Sequence, residues 1–353
     1  MGELLADYTT LRLGGLAGQM LTYADPGAWP DLTQAVRREP VRPFTLGGGS
    51  NVLAADSGCP GPVICMTTRG ITVRTLPGDR AEVTVQAGEP LSALVTRTVA
   101  EGLSGIEYLG GIPGTAGAAP VQNTGAYGQQ ISGTLTRVTA YDWQHGQTVQ
   151  LPPATCAFGY RTSIFKTHPG RWTILAITLR LHRSTRAAPV TYQHLADTLG
   201  VPLSARPPLT EAARAVLTDR RARGLTMPDS GPDTRQAGSV FLNPPVTRAQ
   251  ADAIRAAGGP VHRDQDGMLR ASAGWLLQQT GHHPGSRLAP GVYCSTRRTL
   301  TLVARDGATA THFTTALRTL AARVFEATAI RLHPEPVTLS RPVDHEASRF
   351  SHS

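Results

Sequence analysis

Lysine is almost absent from this sequence. Among 34 basic residues only Lys166 is a lysine, so arginine carries nearly all the positive charge behind a net charge of +9. The arginines are dispersed, and the densest cluster, Arg220, Arg221 and Arg223, is one helical turn long without the interleaved aromatic residues of nucleic-acid-binding motifs. This distribution argues against a nucleic-acid partner, while the net charge favours a small anionic substrate.

Cysteines and long apolar runs are also scarce. The four cysteines show no C-x-x-C or zinc spacing. The adjacent side chains of His282 and His283 diverge, so we interpret the pair as surface residues and predict no metal site. The longest apolar run, residues 174–181, is far shorter than the roughly 20 residues of a membrane helix. Because no basic region followed by an apolar core opens the chain, we expect a cytoplasmic protein without membrane insertion. We also expect a monomer.

Glycine, by contrast, is abundant and clustered. Gly47, Gly48, Gly49, Ser50 and Asn51 lie between two short apolar runs. Three successive residues without Cβ atoms allow backbone N–H groups to converge on an anion, and the two polar side chains add hydrogen-bonding groups. These five residues fit a pyrophosphate site and a glycine-rich hairpin equally well.

A second glycine-rich stretch, residues 110–128, favours the ligand-binding alternative. It carries almost no charge, although a solvated loop usually does, so its backbone is expected to lie against something flat and buried. Its spacing differs from a Rossmann fingerprint, and no acidic residue follows at the required distance. The glycines of this stretch are Gly110, Gly111, Gly114, Gly117, Gly125 and Gly128.

The hydrophobic pattern predicts a mostly β first half and an α/β second part. Two helices interrupt the first half, one beginning at Pro90 and one over residues 207–223. The expected strands are residues 63–65, 71–76, 81–87, 137–143 and 174–181. After Gly231 the pattern predicts strands at 239–242 and 300–305 and helices at 247–257, 273–279 and 311–326.

This pattern suggests three parts. We predict a first region over residues 1–228 with two subdomains, about 1–60 and 61–228, and a smaller domain over residues 229–329. Residues 330–339 should return to the first region as an extended strand. The polar tail from Ser340 is expected to be disordered.

Six motifs occur in order along the chain and together resemble the UDP-N-acetylenolpyruvoylglucosamine reductase family. The resemblance runs from about residue 9 to residue 337. It implies an α+β fold, in which an FAD-binding fold of the vanillyl-alcohol oxidase/PCMH type is joined to a smaller α/β substrate-binding domain. The motifs are Gly-Gly-Gly-Ser-Asn (47–51), Ile-Pro-Gly-Thr-Ala-Gly (112–117), Pro-Val-Gln-Asn-Thr-Gly-Ala-Tyr-Gly (120–128), Phe-Gly-Tyr-Arg-Thr-Ser-Ile-Phe-Lys (158–166), Gly-Ser-Val-Phe-Leu-Asn-Pro (238–244) and Pro-Glu-Pro (334–336).

The resemblance also implies the activity and the cofactors. Members of the family reduce an enolpyruvyl ether of UDP-N-acetylglucosamine to the lactyl ether in peptidoglycan precursor synthesis, with NADPH as reductant and FAD as the carrier of the hydride. The FAD-binding residues it implies are Gly47, Gly48, Gly49, Ser50, Asn51, Ile112, Gly114, Gly117, Ala118, Gln122, Asn123, Gly125, Tyr127 and Gly128.

Three catalytic residues follow from the same resemblance. Arg161 matches the residue that holds the developing enolate, because a guanidinium binds a carboxylate bidentately. Glu335 lies between two prolines that stiffen its segment and matches an orienting carboxylate. Ser239 matches the proton donor, and an isolated serine needs a relayed proton for this role. From the residues alone, a surface arginine and an edge-strand glutamate remain open alternatives.

The implied substrate-binding residues depart from the family in one respect. Arg223 stands where the family usually has lysine, so the charge for a diphosphate is kept without a compact ammonium group. Ala118 and Ala119 also replace serines of some relatives, which removes hydroxyl contacts to the flavin. The implied set is Tyr160, Arg161, Lys166, Tyr192, Arg223 and Asn243.

Two other function classes were weighed. A flavin oxidase of the vanillyl-alcohol type often tethers FAD through histidine or cysteine, and neither glycine-rich stretch contains one. A basic nucleic-acid-binding protein would show salt-sensitive DNA binding and no flavin absorbance. The flavin-dependent reductase therefore remains the leading hypothesis.

Overall fold

Strands form most of the framework. The computed structural model describes residues 2–39 and 41–340. The strands in this part of the chain are β1 Ala17–Tyr23, β2 Phe44–Leu46, β3 Val52–Ala54, β4 Cys59–Met66, β5 Ile71–Leu76, β6 Arg80–Gln86, β7 Leu103–Ser104, β8 Gly125–Ala126, β9 Gln129–Gln130, β10 Leu135–Asp142, β11 Gln147–Leu151, β12 Trp172–Arg183, β13 Gln236–Ser239, β14 Val261–Arg263, β15 Leu269–Ala271, β16 Arg287–Ala289, β17 Val292–Cys294, β18 Thr301–Ala304 and β19 Val337–Leu339.

Helices pack on the sheets, and the longest described helix, α8, has 19 residues. Short 3-10 turns also occur, at Leu5–Tyr8 for example. The α-helices in the described residues are α1 Trp29–Arg37, α2 Leu91–Ala100, α3 Ile164–Thr167, α4 Gln193–Leu199, α5 Leu209–Ala222, α6 Arg248–Ala256, α7 Ala273–Gln279 and α8 Ala310–Thr328.

Two sheets build the first half. Strands β1, β4 and β2 form a parallel sheet in that order. A six-stranded antiparallel sheet has the order β11-β10-β12-β6-β5, with β7 paired to the end of β12. The largest core is built on this second sheet, and Val83, Val85, Leu94 and Ile177 are fully buried within it.

A four-stranded antiparallel sheet, β13-β18-β17-β16, builds the last third of the chain. Its core includes Phe313, Leu320 and Val324 of α8. Leu11 and Leu13 from the amino-terminal segment are buried in the same core. The two parts therefore share apolar contacts, and the three-part division predicted from the sequence stays a prediction.

Several predicted elements are confirmed. The strand over residues 71–76 and the helix over residues 273–279 occur with those bounds as β5 and α7. Helix α2 follows Pro90 and ends before Gly102, whose φ of +68° favours glycine. Local signals suffice for these elements because each is bounded by a turn residue or a clear change in hydrophobic pattern.

Two predicted strands are wrong in extent. Strand β13 covers Gln236–Ser239 rather than residues 239–242, because the chain beyond it bonds to a different segment: Leu242 N donates to His333 O, and Glu335 N donates to Val240 O. Of the predicted strand 330–339 only β19 is regular, and it pairs in parallel with β3. The predicted disordered tail lies outside the described residues from position 341 onward.

Candidate active site

The two glycine-rich stretches face each other. Loop 47–51 leaves β2 and enters β3, and a Cβ atom built on Gly48 would lie 3.3 Å from the Cα of Gly114. The side chain of Asn51 links the stretches directly, because its Nδ2 donates to Gln122 Oε1 at 2.8 Å. A cavity opens between backbones that are nearly free of side chains.

Gly49 is required by the fold as well as by the cavity. Its φ is +62°, and a Cβ atom there would lie 2.1 Å from the carbonyl oxygen of Tyr8. Backbone atoms cannot yield to such a contact, so only glycine fits.

We call this space the glycine cavity, and its volume is about 190 Å³. Among its described lining residues only Lys166 carries a charge. Thr115 in its wall has a buried Oγ1 without a hydrogen-bond partner among the described residues. The predicted FAD-binding residues that line this cavity are Gly47, Gly48, Gly49, Ser50, Asn51, Gly114, Gly117, Ala118 and Gln122.

A second cavity of about 290 Å³, which we call the arginine cavity, adjoins the first. Its described charged lining residues are four arginines and one glutamate: Arg161, Arg220, Arg223, Arg298 and Glu335. The two cavities share one wall, formed by Ser50, Asn51, Pro113, Gln122 and Thr124. Groups bound in the two cavities can therefore come into contact beside these shared residues.

Arg161 is fixed by several contacts. Its φ of +54° is unusual for a residue with a side chain. Its Nη2 donates to the carbonyl of Gly125 at 2.9 Å, and its Nε lies 3.3 Å from Glu335 Oε1. Lys166 Nζ donates to the Arg161 carbonyl at 3.2 Å. The guanidinium is thus held against the one carboxylate of the arginine cavity.

Glu335 is held on a stiff, bonded segment. Its N–H donates to Val240 O at 2.9 Å, and the preceding Pro334 forms an isolated bridge with Phe241. Burial raises the pKa of the Glu335 carboxyl, while the positive charges of Arg161, Lys166 and Arg298 oppose that rise. Burial and the three neighbouring cations therefore act on this carboxyl in opposite directions, and burial has the larger effect.

Ser239 lies at the end of β13 and lines the same cavity. The preceding Gly238 has φ of +71°, and the following Val240 accepts the N–H of Glu335. No hydrogen bond from the Ser239 hydroxyl to another described residue occurs, so this hydroxyl is available to a ligand. Residues 78 to 174 positions apart in the sequence thus converge here, since Arg161, Ser239 and Glu335 all line one cavity.

Arg220 and Arg298 were missed by the sequence analysis. Burial lowers the pKa of Arg298 to about 10, which leaves its guanidinium charged at neutral pH, and its Nη1 donates to Thr301 Oγ1 at 3.2 Å. Burial also lowers the pKa of Arg220, whose Nη2 donates to Leu225 O at 2.7 Å. Arginine is so common in this chain that no local signal distinguished these two.

A pair of tyrosines and Arg223 form another part of the wall. Tyr127 and Tyr192 make an edge-to-face contact with ring centroids 6.0 Å apart. Tyr192 is 45% exposed and immediately precedes α4. The hydroxyl of Tyr127 donates to Asp219 Oδ2 at 2.6 Å, and Arg223 Nη1 lies 3.3 Å from the same oxygen.

Some predicted site residues lie on the other cavity, and others line neither one. Lys166 lines the glycine cavity, not the arginine cavity, whereas Ile112, Gly125 and Tyr127 line the arginine cavity. Whether these four residues bind the ligands assigned to them stays a prediction. Asn123, Gly128, Tyr160 and Asn243 line neither cavity.

The contacts of the remaining predicted residues are structural. The buried Asn123 donates to Gly159 O at 3.2 Å, and Asn243 Oδ1 accepts the N–H of Ala273 at 3.0 Å at the start of α7. The Tyr160 ring packs 4.0 Å from the Arg270 guanidinium. Their roles in ligand binding stay predictions.

The interpretation of His282 as a surface residue is wrong. It is buried, its Nδ1 lies 3.0 Å from Thr280 Oγ1, and burial lowers its pKa. Within residues 2–39 and 41–340, no cluster of three or more potential metal ligands occurs. In the same ranges, no helix is both long and apolar enough to span a bilayer.

Comparison with known families covers both parts of the chain. A family model described as FAD binding domain matches residues 24–151, and one described as UDP-N-acetylenolpyruvoylglucosamine reductase, C-terminal domain matches residues 231–339. These matches confirm the predicted fold class.

Full-length relatives carry the same name. A UDP-N-acetylenolpyruvoylglucosamine reductase from Salinispora arenicola is 40% identical over 348 residues, which cover 95% of this chain and 94% of that protein. One from Thermobifida fusca is 39% identical and covers 95% of this chain and 96% of its own length. The crystal structure of the Thermus caldophilus enzyme has a TM-score of 0.64 and 26% identity, covering 96% of this chain and 98% of that one. This chain therefore belongs to the UDP-N-acetylenolpyruvoylglucosamine reductase family.

Proposed function

We propose that this protein is a flavin-dependent oxidoreductase that reduces the enolpyruvyl ether of UDP-N-acetylglucosamine to UDP-N-acetylmuramate, with NADPH as reductant. One observation carries the proposal: a nearly uncharged glycine cavity adjoins a cavity lined by four arginines and one glutamate. The first suits a flexible dinucleotide, and the second suits a substrate that carries a diphosphate and a carboxylate. The names of the relatives support the same reaction.

The residues of the glycine cavity fit FAD. Gly48 and Gly114 approach each other without side chains, which leaves backbone N–H groups accessible to a pyrophosphate. Leu91 and Trp172 supply apolar wall, and the unpartnered Thr115 Oγ1 supplies a polar contact. When bound, FAD supplies a carrier that accepts a hydride from NADPH and delivers it to the alkene.

Arg161 is proposed to bind the carboxylate of the enolpyruvyl group. As hydride reaches C3 of the alkene, negative charge grows at C2 and on that carboxylate, so the attraction of the fixed guanidinium grows as well. The Glu335 carboxylate beside Arg161 prevents the guanidinium from rotating away. Its proposed role is to orient the guanidinium, and the neighbouring cations offset the repulsion between its negative charge and the enolate.

Ser239 is proposed to deliver the proton to C2. Its hydroxyl lines the arginine cavity, where the substrate carboxylate would be held by Arg161. The O–H bond of serine breaks as the C2–H bond forms, and the proton is replaced through water. The positive field of the four arginines stabilises the transient alkoxide.

The remaining arginines are proposed to hold the UDP part of the substrate. Arg220, Arg223 and Arg298 line the arginine cavity together with Arg161 and Glu335, and the charges of Arg220 and Arg223 act on Arg298. Guanidinium groups bind phosphate oxygens bidentately. The dispersed arginines elsewhere support this small-molecule partner over nucleic acid, while monomeric state and cytoplasmic location stay predictions.

Two half-reactions measured separately test the proposal. The purified protein should contain FAD whose absorbance is bleached by NADPH and restored by the enolpyruvyl substrate, with one lactyl ether formed for each NADPH oxidised. A protein that binds FAD but is not reoxidised by this substrate would have a different electron acceptor, and the proposed function would be rejected.

A further inference from the structure

A buried carboxylate lies behind the arginine cavity and contacts two of its wall residues. Asp219, on α5, is 6% exposed and does not line the cavity itself. The same oxygen, Oδ2, accepts the Tyr127 hydroxyl at 2.6 Å and lies 3.3 Å from Arg223 Nη1. Neither the motifs nor the predicted site residues included Asp219.

The two contacts fix side chains from distant parts of the chain. Tyr127 follows the short strand β8, whereas Arg223 follows the last residue of α5. Tyr127 in turn packs edge-to-face against the half-exposed Tyr192. One carboxylate thus connects three residues that line the cavity.

The contact leaves Arg223 able to bind an anion. An arginine side chain carries five N–H groups in a rigid fork, and Asp219 engages one terminal nitrogen. The other terminal nitrogen remains for phosphate oxygens, and the Arg223 side chain is 41% exposed. A lysine at this position would present one ammonium group without a preferred plane. Asp219 can instead fix the direction in which the planar guanidinium of Arg223 points.

We propose that Asp219 is a positioning residue that holds Tyr127 and Arg223 in place for the diphosphate of the UDP-sugar. The inference rests on the proposed function and assigns a role to a residue that does not touch the substrate. If Asp219 acts only by its charge, its removal should strengthen binding of an anion. If it acts by positioning, its removal should weaken binding.

The two alternatives predict opposite changes in substrate affinity, so Asp219→Asn distinguishes them. This substitution keeps the shape of the side chain and removes its charge. We expect KM for the enolpyruvyl substrate to rise about 10-fold, the size of a lost charge-assisted hydrogen bond. The Kd for UDP, measured by calorimetry, should rise by a similar factor. The rate of flavin reduction by NADPH and the kcat should change little, because neither the transfer of hydride nor the protonation of C2 takes place at the diphosphate of the UDP-sugar.

The matched control is Asp142→Asn. Asp142 is also a buried aspartate, paired with His145 and Arg171, and it lines neither cavity. Its substitution should lower Tm without changing KM or the Kd for UDP. Tyr127→Phe, which removes one hydroxyl, should give the same direction as Asp219→Asn with a smaller rise in KM.

A double-mutant cycle shows whether Asp219 acts through Arg223. In an Arg223→Ala background, Asp219→Asn should cost clearly less than in the wild type. An unchanged or lower KM in Asp219→Asn, or an equal cost in both backgrounds, would overturn the inference while leaving the proposed function intact. Absence of turnover in the wild type would instead reject the proposed function and this inference with it.

Discussion

The glycine cavity and the arginine cavity differ in the kind of residue that lines them. The first is lined by glycine, apolar and uncharged polar residues, with one charged residue among its described lining residues, and the second has five charged side chains that come from distant segments. Backbone can approach a ligand closely only where Cβ atoms are absent, so the requirement is visible as clustered glycine. Side chains that converge from separate elements leave no such local mark.

The difference also assigns separate tasks to the two cavities. A neutral wall of glycine and apolar residues can hold a cofactor throughout a catalytic cycle without competing for its charge. An excess of arginine binds a dianionic or trianionic substrate and stabilises charge that develops during reduction. Substitutions in one cavity should therefore spare the function of the other.

The largest effect is expected for Gly48→Val. A Cβ atom at this position already lies 3.3 Å from the Gly114 Cα, and two further methyl groups would project where FAD must approach the backbone. The variant should purify without FAD and without the blue absorbance band. The control is Gly133→Val, because a Cβ atom at Gly133 meets nothing within 4 Å. A Gly48→Val protein that folds and retains full FAD would show that this loop does not bind the cofactor.

Ser239→Ala should affect only the second cavity. The hydroxyl forms no bond to another described residue, so the fold should survive its loss. Removal of a positioned proton donor costs about 10²–10⁴ in rate, and here the loss should fall on the reaction with enolpyruvyl substrate. Stopped-flow absorbance should show normal bleaching by NADPH followed by very slow reoxidation. Reoxidation at the wild-type rate would mean that another group donates the proton.

A smaller effect is expected for Arg223→Ala. Its guanidinium lines the arginine cavity, so KM for the enolpyruvyl substrate should rise about 10-fold when one charged contact to the diphosphate is lost. Reduction of the flavin by NADPH should proceed at nearly the normal rate. Arg221→Ala is the matched control, since this exposed neighbour does not line the cavity. Equal KM values for the two variants would remove Arg223 from the site.

The smallest effect is expected for Thr115→Val, which removes a buried hydroxyl without a described partner from the wall of the glycine cavity. FAD should bind about 3- to 10-fold more weakly, because one neutral hydrogen bond is lost. Thr299 also has a buried, unpartnered hydroxyl but lines neither cavity, so Thr299→Val should leave FAD affinity unchanged. Similar FAD affinities for both variants would exclude a bond from Thr115 to the cofactor.

Much of the lining of the glycine cavity could be predicted from the sequence. Of the fourteen predicted FAD-binding residues, those in loop 47–51 together with Gly114, Gly117, Ala118 and Gln122 line the glycine cavity. Elements with a clear boundary, such as α2 between Pro90 and Gly102, were also predictable. In both cases the physical requirement is local to a few successive residues.

The charged lining of the arginine cavity was predictable only where a motif marked the residue. Arg161, Ser239 and Glu335 were found through the resemblance, whereas Arg298 looked like any other arginine in the chain. No sequence pattern marked Asp219 either. Its importance depends on Tyr127, which lies 92 residues earlier in the chain, and only the folded chain brings the two together.

In the proposed function, FAD and the anionic substrate bind in adjoining cavities and meet beside the residues that line both, at positions 50, 51, 113, 122 and 124. The most direct test is the visible absorbance spectrum of the purified protein during titration with the enolpyruvyl substrate in the absence of NADPH. We expect a yellow protein whose flavin bands shift in a saturable way, with weaker substrate binding at high salt. A colourless protein, or a flavin spectrum that stays constant while calorimetry shows the substrate bound, would contradict it.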